Sequence, residues 1–195
     1  MRITDSIKKE ILLFSERYML EAEDRYNFWE EHIKYVVQEA ISLAEKYGAD
    51  TEIVELAALL HDIALITKTG TRADHHATGA ELAETLLVKY GYPQDKTNRV
   101  KTSVFNHRSS KNGTSVEDIC VADADILAHF DNIPMLFNVI LNRVWNKESE
   151  SIVTLPELRK KMKESFEYDY NDLSERTRRE FNERYELICR IVLGL

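Results

Sequence analysis

In "LAALLHDIALI", residues 56–66, a histidine and an aspartate interrupt a stretch otherwise built for burial. An unpaired buried carboxylate costs several kcal/mol, and an unsatisfied imidazole roughly 1–3 kcal/mol, so His61 and Asp62 need compensation. Three more histidines share this placement. His32 lies on a helical stripe with Val36 and Ala40, and His61 on one with Val54, Ala57, Ala58 and Leu65. His75 aligns with Gly79, Leu82 and Leu86, and His107 follows Val100 and Val104. A single inward histidine is ordinarily a hydrogen-bonded core residue. Four of them, on four separate expected helices and accompanied by inward-capable aspartates, suit a convergent site. A metal ion explains this economically: its charge compensates the carboxylates, and coordination replaces the imidazoles' missing hydrogen bonds. Imidazole and carboxylate without thiolate suit Mn, Fe, Co, Ni or Zn, with Mg a further candidate.

These residues need helices to carry them, and helical periodicity recurs along almost the whole chain. The sequence predicts about nine helices. The first covers roughly residues 5–22 and the second runs from Phe28 to Tyr47, where Gly48 is a left-handed stop. Asp50 or Thr51 caps a third, running through His61 and Asp62 to about Ile66. A fourth spans about Asp74 to Tyr90, before "GYP", and a fifth about Asp95 to His107. Ser115 caps a sixth containing "DICVADADILAHF", and Asn132 to Lys147 forms a seventh. "TLPE" at 154–157 has the capping-box pattern and opens an eighth; the ninth runs from about Asp172 to Leu193.

Bulk properties agree with an all-α protein. Charged residues make up 31% and hydrophobic residues 44%, with six glycines and three prolines, which argues against disorder and against a turn-rich β fold. The length suits a single domain, residues 1–195. A net charge of −8 disfavours a nucleic acid polymer as partner. Cys120 and Cys189 lack metal-binding spacing, no run is long and apolar enough for a membrane span, and "MRITDSIKKE" lacks a signal peptide's apolar core. The expectation is a cytoplasmic protein with reduced thiols.

The order of His32, then the His61 and Asp62 pair, then an aspartate in "VADADIL" resembles the HD-domain metal-dependent phosphohydrolase superfamily. The resemblance covers about residues 25–135, leaving about 136–195 as a C-terminal helical extension. It implies an HD-domain helical bundle in which His32, His61 and Asp62 bind metal. For the last ligand, Asp123 lies on the stripe with Val116, Ile119, Cys120, Ile126, Leu127 and Phe130. "DADILAHF" resembles an ending in which the second aspartate ligates, which favours Asp125. His75, in an HxxxG pattern, and His107, in "VFNHR", occupy places where two-metal members carry further ligands; the alternative is that they contact substrate phosphate beside a single ion. His129, four residues beyond Asp125, could face the site, but a surface or hydrogen-bonded role is the favoured reading. Two features depart from the family: Ala64 and Leu65 stand where the HDIGK form has glycine and lysine, and "GYP" precedes His107, so a cyclic dinucleotide substrate is not supported.

The resemblance implies metal-assisted hydrolysis of a phosphate ester or anhydride in a small metabolite, with a nucleotide the expected substrate. Asp62 would orient the attacking water, and His75 or His107 would donate to a phosphate oxygen. The loops after the HD pair and after His107 carry Lys68 and Arg72, and Arg108 and Lys111, as candidate phosphate contacts, with Arg72 and Arg108 foremost. Tyr35 and Asn106 are further candidates for the pocket. Two alternatives stay open: a di-iron HD oxygenase, and a non-catalytic metal or nucleotide-binding regulator. The C-terminal helices could cover the bundle or form a homodimer interface.

Overall fold

The computed structural model describes residues 2–23, 25–138 and 154–194. Among these the fold is all-α, with no strand. Helix α1 spans Ile3–Glu21. A π-helical turn, Trp29–Ile33, leads directly into α2, Lys34–Tyr47. Then come α3 (Thr51–Leu60), the single turn α4 (Ile63–Ile66), α5 (His75–Lys89), α6 (Gln94–Asn106) and α7 (Val116–Asp131). Residues 133–138 are helical, and the rest of the expected seventh helix lies outside the described residues. The C-terminal extension supplies α8 (Leu155–Asp172) and α9 (Glu175–Ile188), the latter ending in a π turn, Cys189–Leu193.

The expected caps operate. Gly48 ends α2 at φ 74°, a conformation that costs glycine little. Ser115 Oγ accepts from Asp118 N, and Thr154 forms its capping box with Glu157. Two expected helices differ from their prediction. The second opens with a π turn, whose first backbone N–H groups, Trp29 and Glu30, donate to Asn27 Oδ1. π turns concentrate at functional sites, and this one carries His32. The third is not continuous to Ile66, because His61 and Asp62 break it, for a reason that lies in the site itself.

α2 packs along α7, α5 along α6, and α3 sits between the pairs. α7 is covered nearly all round, so Asp118 and Asp123 are both buried and must be satisfied from elsewhere. Asp118 accepts from Ser103 Oγ, Asn106 Nδ2 and Thr114 N and Oγ1, which holds the α6–α7 loop in place. Asp123 accepts from Ser174 N at 2.8 Å and from Ser174 Oγ, fastening the α8–α9 corner to the core. Burial pushes the Asp123 carboxyl above its ordinary pKa, and the Ser174 donors oppose that rise. Asp123→Ala should lower unfolding free energy by about 1–3 kcal/mol, because it strands the half-buried Ser174 donors, while metal stoichiometry stays unchanged. Urea unfolding together with elemental analysis of the variant checks both.

Candidate metal centre

The opening pair lies where α3 ends. His61 is the C-cap of α3 and is fully buried; Asp62 follows at φ −103°, ψ 16°, and the chain resumes as α4. The final-turn carbonyls of a helix lack helical partners, and His61 Nδ1 takes one of them, Ala58 O, at 2.7 Å. The same device recurs at two other helix ends. His107 caps the C-terminus of α6 and bonds Val104 O at 2.6 Å, while His75 starts α5 and bonds Arg72 O at 3.0 Å. A carbonyl can only accept, so each Nδ1 carries a hydrogen and each ring turns inward its Nε2, which in the unprotonated form offers a lone pair.

Those lone pairs meet. His75 Nε2 lies 3.1 Å from His107 Nε2, and His61 Nε2 lies 3.2 Å from His32 Nε2. His32 Nε2 is also 3.0 Å from Asp125 Oδ1, which in turn is 3.7 Å from His61 Nε2. Asp62 stands between the two groups: Oδ2 is 3.6 Å from His61 Nε2 and 3.8 Å from His32 Nε2, and Oδ1 is 3.5 Å from His75 Nε2. Two sets of donor atoms, His32, His61 and Asp62 on one side and Asp62, His75 and His107 on the other, each lie within 4.8 Å of one another and could hold a metal ion.

Electrostatics support a site that accepts cations. Burial drives the His107 imidazole down to about 4, with the neighbouring His61 adding to the effect, so His107 is neutral near pH 7. Burial opposes ionisation of Asp62 and Asp125, yet the facing histidines outweigh it and hold both carboxyls below the ordinary range. A proton shared between His75 and His107 would relieve their opposed lone pairs only at the cost of charging a desolvated imidazole. A metal cation relieves them without that cost, and the donor chemistry therefore fits one.

The fold thus gathers His32, His61, Asp62, His75, His107 and Asp125 into one cluster and leaves Asp123 outside it. The Asn106 amide donates to Asp118 rather than to the cluster, though Asn106 lines the groove beside Arg108, and Tyr35 lies beneath the Lys34 ammonium. Lys68 and Lys111 pair with Glu21 and Asp172, so neither is an uncommitted phosphate contact. Arg72 is exposed, and Arg108 donates to Ala73 O at 3.0 Å, joining the two loops that follow the HD pair and α6. Sequence reasoning missed Tyr26. Its phenol is held protonated by burial and by the charges of Asp62, Glu31 and Asp125, with Arg72 opposing, which places it within electrostatic reach of the cluster.

Comparison with known proteins gives this arrangement its family. The HD domain family matches residues 29–129. The chain belongs to it. HD domains bind divalent metals, in keeping with the buried cluster. A crystal structure described as an HD-superfamily hydrolase from Bacillus thuringiensis superposes at TM-score 0.65 with 18% identity, covering 97% of this chain and 94% of that one. Bacillus subtilis YpgQ superposes at TM-score 0.65 with 19% identity, covering 99% and 95%. At these identities the likeness is one of fold. Among curated proteins, an uncharacterized protein of Clostridium beijerinckii is 27% identical over 75 residues, 38% of this chain and 48% of that protein. A bifunctional uridylyltransferase/uridylyl-removing enzyme of Erythrobacter litoralis is 33% identical over 104 residues, 47% of this chain and 11% of that enzyme. The chain thus spans about half the length of the first and about a tenth of the second. No described helix is long and apolar enough to cross a membrane.

The HD turn imposes a glycine on α5. A Cβ at Gly79 would lie 3.3 Å from His61 O, a backbone atom that cannot swing aside. Gly→Ala inside a helix ordinarily stabilises by about 0.5–1 kcal/mol; Gly79→Ala should instead lower the melting temperature and weaken metal binding, since α5 also carries His75. A raised melting temperature would show that the close approach is unimportant. His107 predicts a pH dependence for the metal-free protein. Its folded pKa of about 4 lies below the ordinary 6.5, so the unfolded chain binds more protons between those values. Stability should therefore fall as pH drops from about 6.5 to about 4, by up to roughly 3 kcal/mol, and His107→Gln should flatten the slope. Urea unfolding of chelator-treated protein across that range is the measurement.

Proposed function

We propose that this protein is a metal-dependent phosphohydrolase acting on a small phosphorylated metabolite, with a nucleotide the favoured substrate. One observation carries the reading. The Asp62 carboxylate directs one oxygen toward His32 and His61 and the other toward His75, in a cluster whose inward lone pairs require positive charge. His32, His61, Asp62 and Asp125 would hold one divalent ion, and Asp62, His75 and His107 a second. Bound there, such an ion supplies a Lewis acid for a phosphoryl oxygen and lowers the pKa of a water molecule towards about 7. Mn, Fe, Co, Ni and Zn suit the nitrogen-rich donor set, with Mg less suited.

The chain's own groups supply the rest. Asp62 orients the attacking water, which proximity converts from a bimolecular to an effectively unimolecular reactant. Arg72 and Arg108, the two of the four loop candidates for which no ion pair with a carboxylate is seen among the described residues, receive the non-bridging oxygens. The protonated phenol of Tyr26 is a neutral donor at the same mouth. A groove of about 520 Å³ beside Arg108 is bordered by His76, Phe105 and Tyr168, flat side chains against which a nucleobase can stack. Hydrolysis at the end of a nucleotide fits this combination.

The test is a substrate panel of phosphomonoesters, phosphodiesters and nucleoside triphosphates, with the protein loaded in turn with Mn, Co, Ni or Mg. Phosphate or nucleotide release is expected, falling about a hundredfold or more in His61→Ala and Asp62→Ala, and Arg108→Ala should mainly raise KM. Turnover that survives either of the first two substitutions overturns the reading. Oxygen uptake with ferrous iron and no hydrolysis would indicate a di-iron oxygenase instead, and tight nucleotide binding without turnover a regulator.

A further inference from the structure

One neighbouring imidazole, His129, lies outside the first ion's ligand set. His129 lies one helical turn beyond Asp125 on α7 and so shares its face. Its ring stacks on that of His32, with centroids 5.8 Å apart and planes 24° apart. Donor atoms of His32, Asp125 and His129 lie within 4.8 Å of one another, a span one ion can bridge from about 2.0–2.4 Å on each side. Across the ring, His129 Nδ1 is 3.0 Å from Asp169 Oδ2 on α8. Asp169 is a carboxylate only 8% exposed, an expensive position for a group that served merely to decorate a surface helix.

A buried carboxylate accepting from Nδ1 of an imidazole whose ring borders metal-binding atoms is the arrangement that fixes a ligating histidine's tautomer and raises its basicity. His61, His75 and His107 use backbone carbonyls for this purpose, namely Ala58 O, Arg72 O and Val104 O, whereas His32 Nδ1 has no such partner. His129 alone in the cluster uses a side chain, and that side chain comes from the C-terminal extension, beyond the segment matched by the family.

We propose that His129, oriented by Asp169, is an additional ligand on the His32 and Asp125 side of the metal centre, so that α8 completes the coordination shell. His129 is the ligand and Asp169 a positioning residue. The inference rests on the metal centre proposed above but not on the phosphate chemistry. With His129 included, three imidazoles and two carboxylates surround the first ion, a set that favours transition metals over Mg.

The experiment uses Co(II) as the probe, read by chelator competition and by visible absorption, on the full chain and on His129→Gln, Asp169→Asn, Asp169→Ala and His61→Ala. Circular dichroism of the metal-free variants verifies folding. His129→Gln should weaken Co(II) binding about 10–100-fold and shift the visible bands, since a nitrogen ligand is lost. Asp169→Ala should weaken binding by a smaller factor within that range, and Asp169→Asn should recover part of the loss, because an amide oxygen still accepts from Nδ1. A tie that merely docks α8 onto α7 would alter melting temperature but leave the Co(II) spectrum unmoved, and that result overturns the proposal. The two failures are distinguishable. If His61→Ala loses Co(II) while His129→Gln binds it with unchanged affinity and spectrum, only the role of His129 falls. If His61→Ala binds like the full wild-type chain, the metal centre itself falls. Should His129→Gln fail to fold, the spectra of Asp169→Asn and Asp169→Ala decide.

Discussion

Two buried imidazole nitrogens 3.1 Å apart, both with their hydrogens committed elsewhere, set the problem that this fold answers. On the His75 and His107 side, each Nδ1 is bound to a carbonyl and neither ring can offer a proton to the other without becoming charged. The His32 side has more latitude. His32 Nδ1 is buried without a partner, so a hydrogen on Nε2 could serve Asp125, but only by leaving a lone pair stranded behind the ring. A cation between the rings removes both conflicts. It also explains why the chain tolerates Asp62 in a helix end whose other residues are leucine, alanine and isoleucine.

The helices are cut to suit this arrangement. A histidine in mid-helix finds its i−3 carbonyl already engaged, whereas one at a helix end finds it available. His61 and His107 each cap a C-terminus, and His75 begins a helix after a turn. The break between α3 and α4 is therefore a requirement of the site, made in spite of a local sequence with good helix propensity throughout. Gly79 follows from the same break, because a methyl group there would crowd the carbonyl of His61 at 3.3 Å, a backbone atom that would have to give by a few tenths of an ångström.

The helical class and most caps were legible because they are local: Gly48, Ser115 and Thr154 act within a turn of their own position. The inward histidines were legible through their stripes. The choice between Asp123 and Asp125 was less so, since a stripe discriminates only on a helix with an exposed face, and α7 is buried nearly all round. What separates the two is a partner: Ser174 lies 51 residues from Asp123, a distance no periodicity spans. Lys68 and Lys111 were read as phosphate contacts for the same reason, their partners Glu21 and Asp172 being remote in sequence. His129 shows a mixed case. Its position one turn after Asp125 was visible, whereas Asp169, which gives that position meaning, comes from another helix.

The exposure of the cluster has a direction. His61 is fully enclosed and the Asp62 side chain is 12% exposed, rising to 21% for Asp125 and 30% for His129. On the α7 side the cluster is therefore more open at Asp125 and His129 than at His61, with Asp169 beside them. Asp125 and Asp169 on this side are carboxylates, and Glu31 lies close enough to act electrostatically on Tyr26. A phosphate meeting that ring of negative charge alone would be repelled, at a separation where desolvation leaves little screening. On the proposed reading, metal charge must therefore be in place before an anionic substrate can approach, and Arg72 and Arg108 can steer the substrate only once that charge has reversed the sign of the mouth. Order of binding then follows from electrostatics, with no moving part required to enforce it.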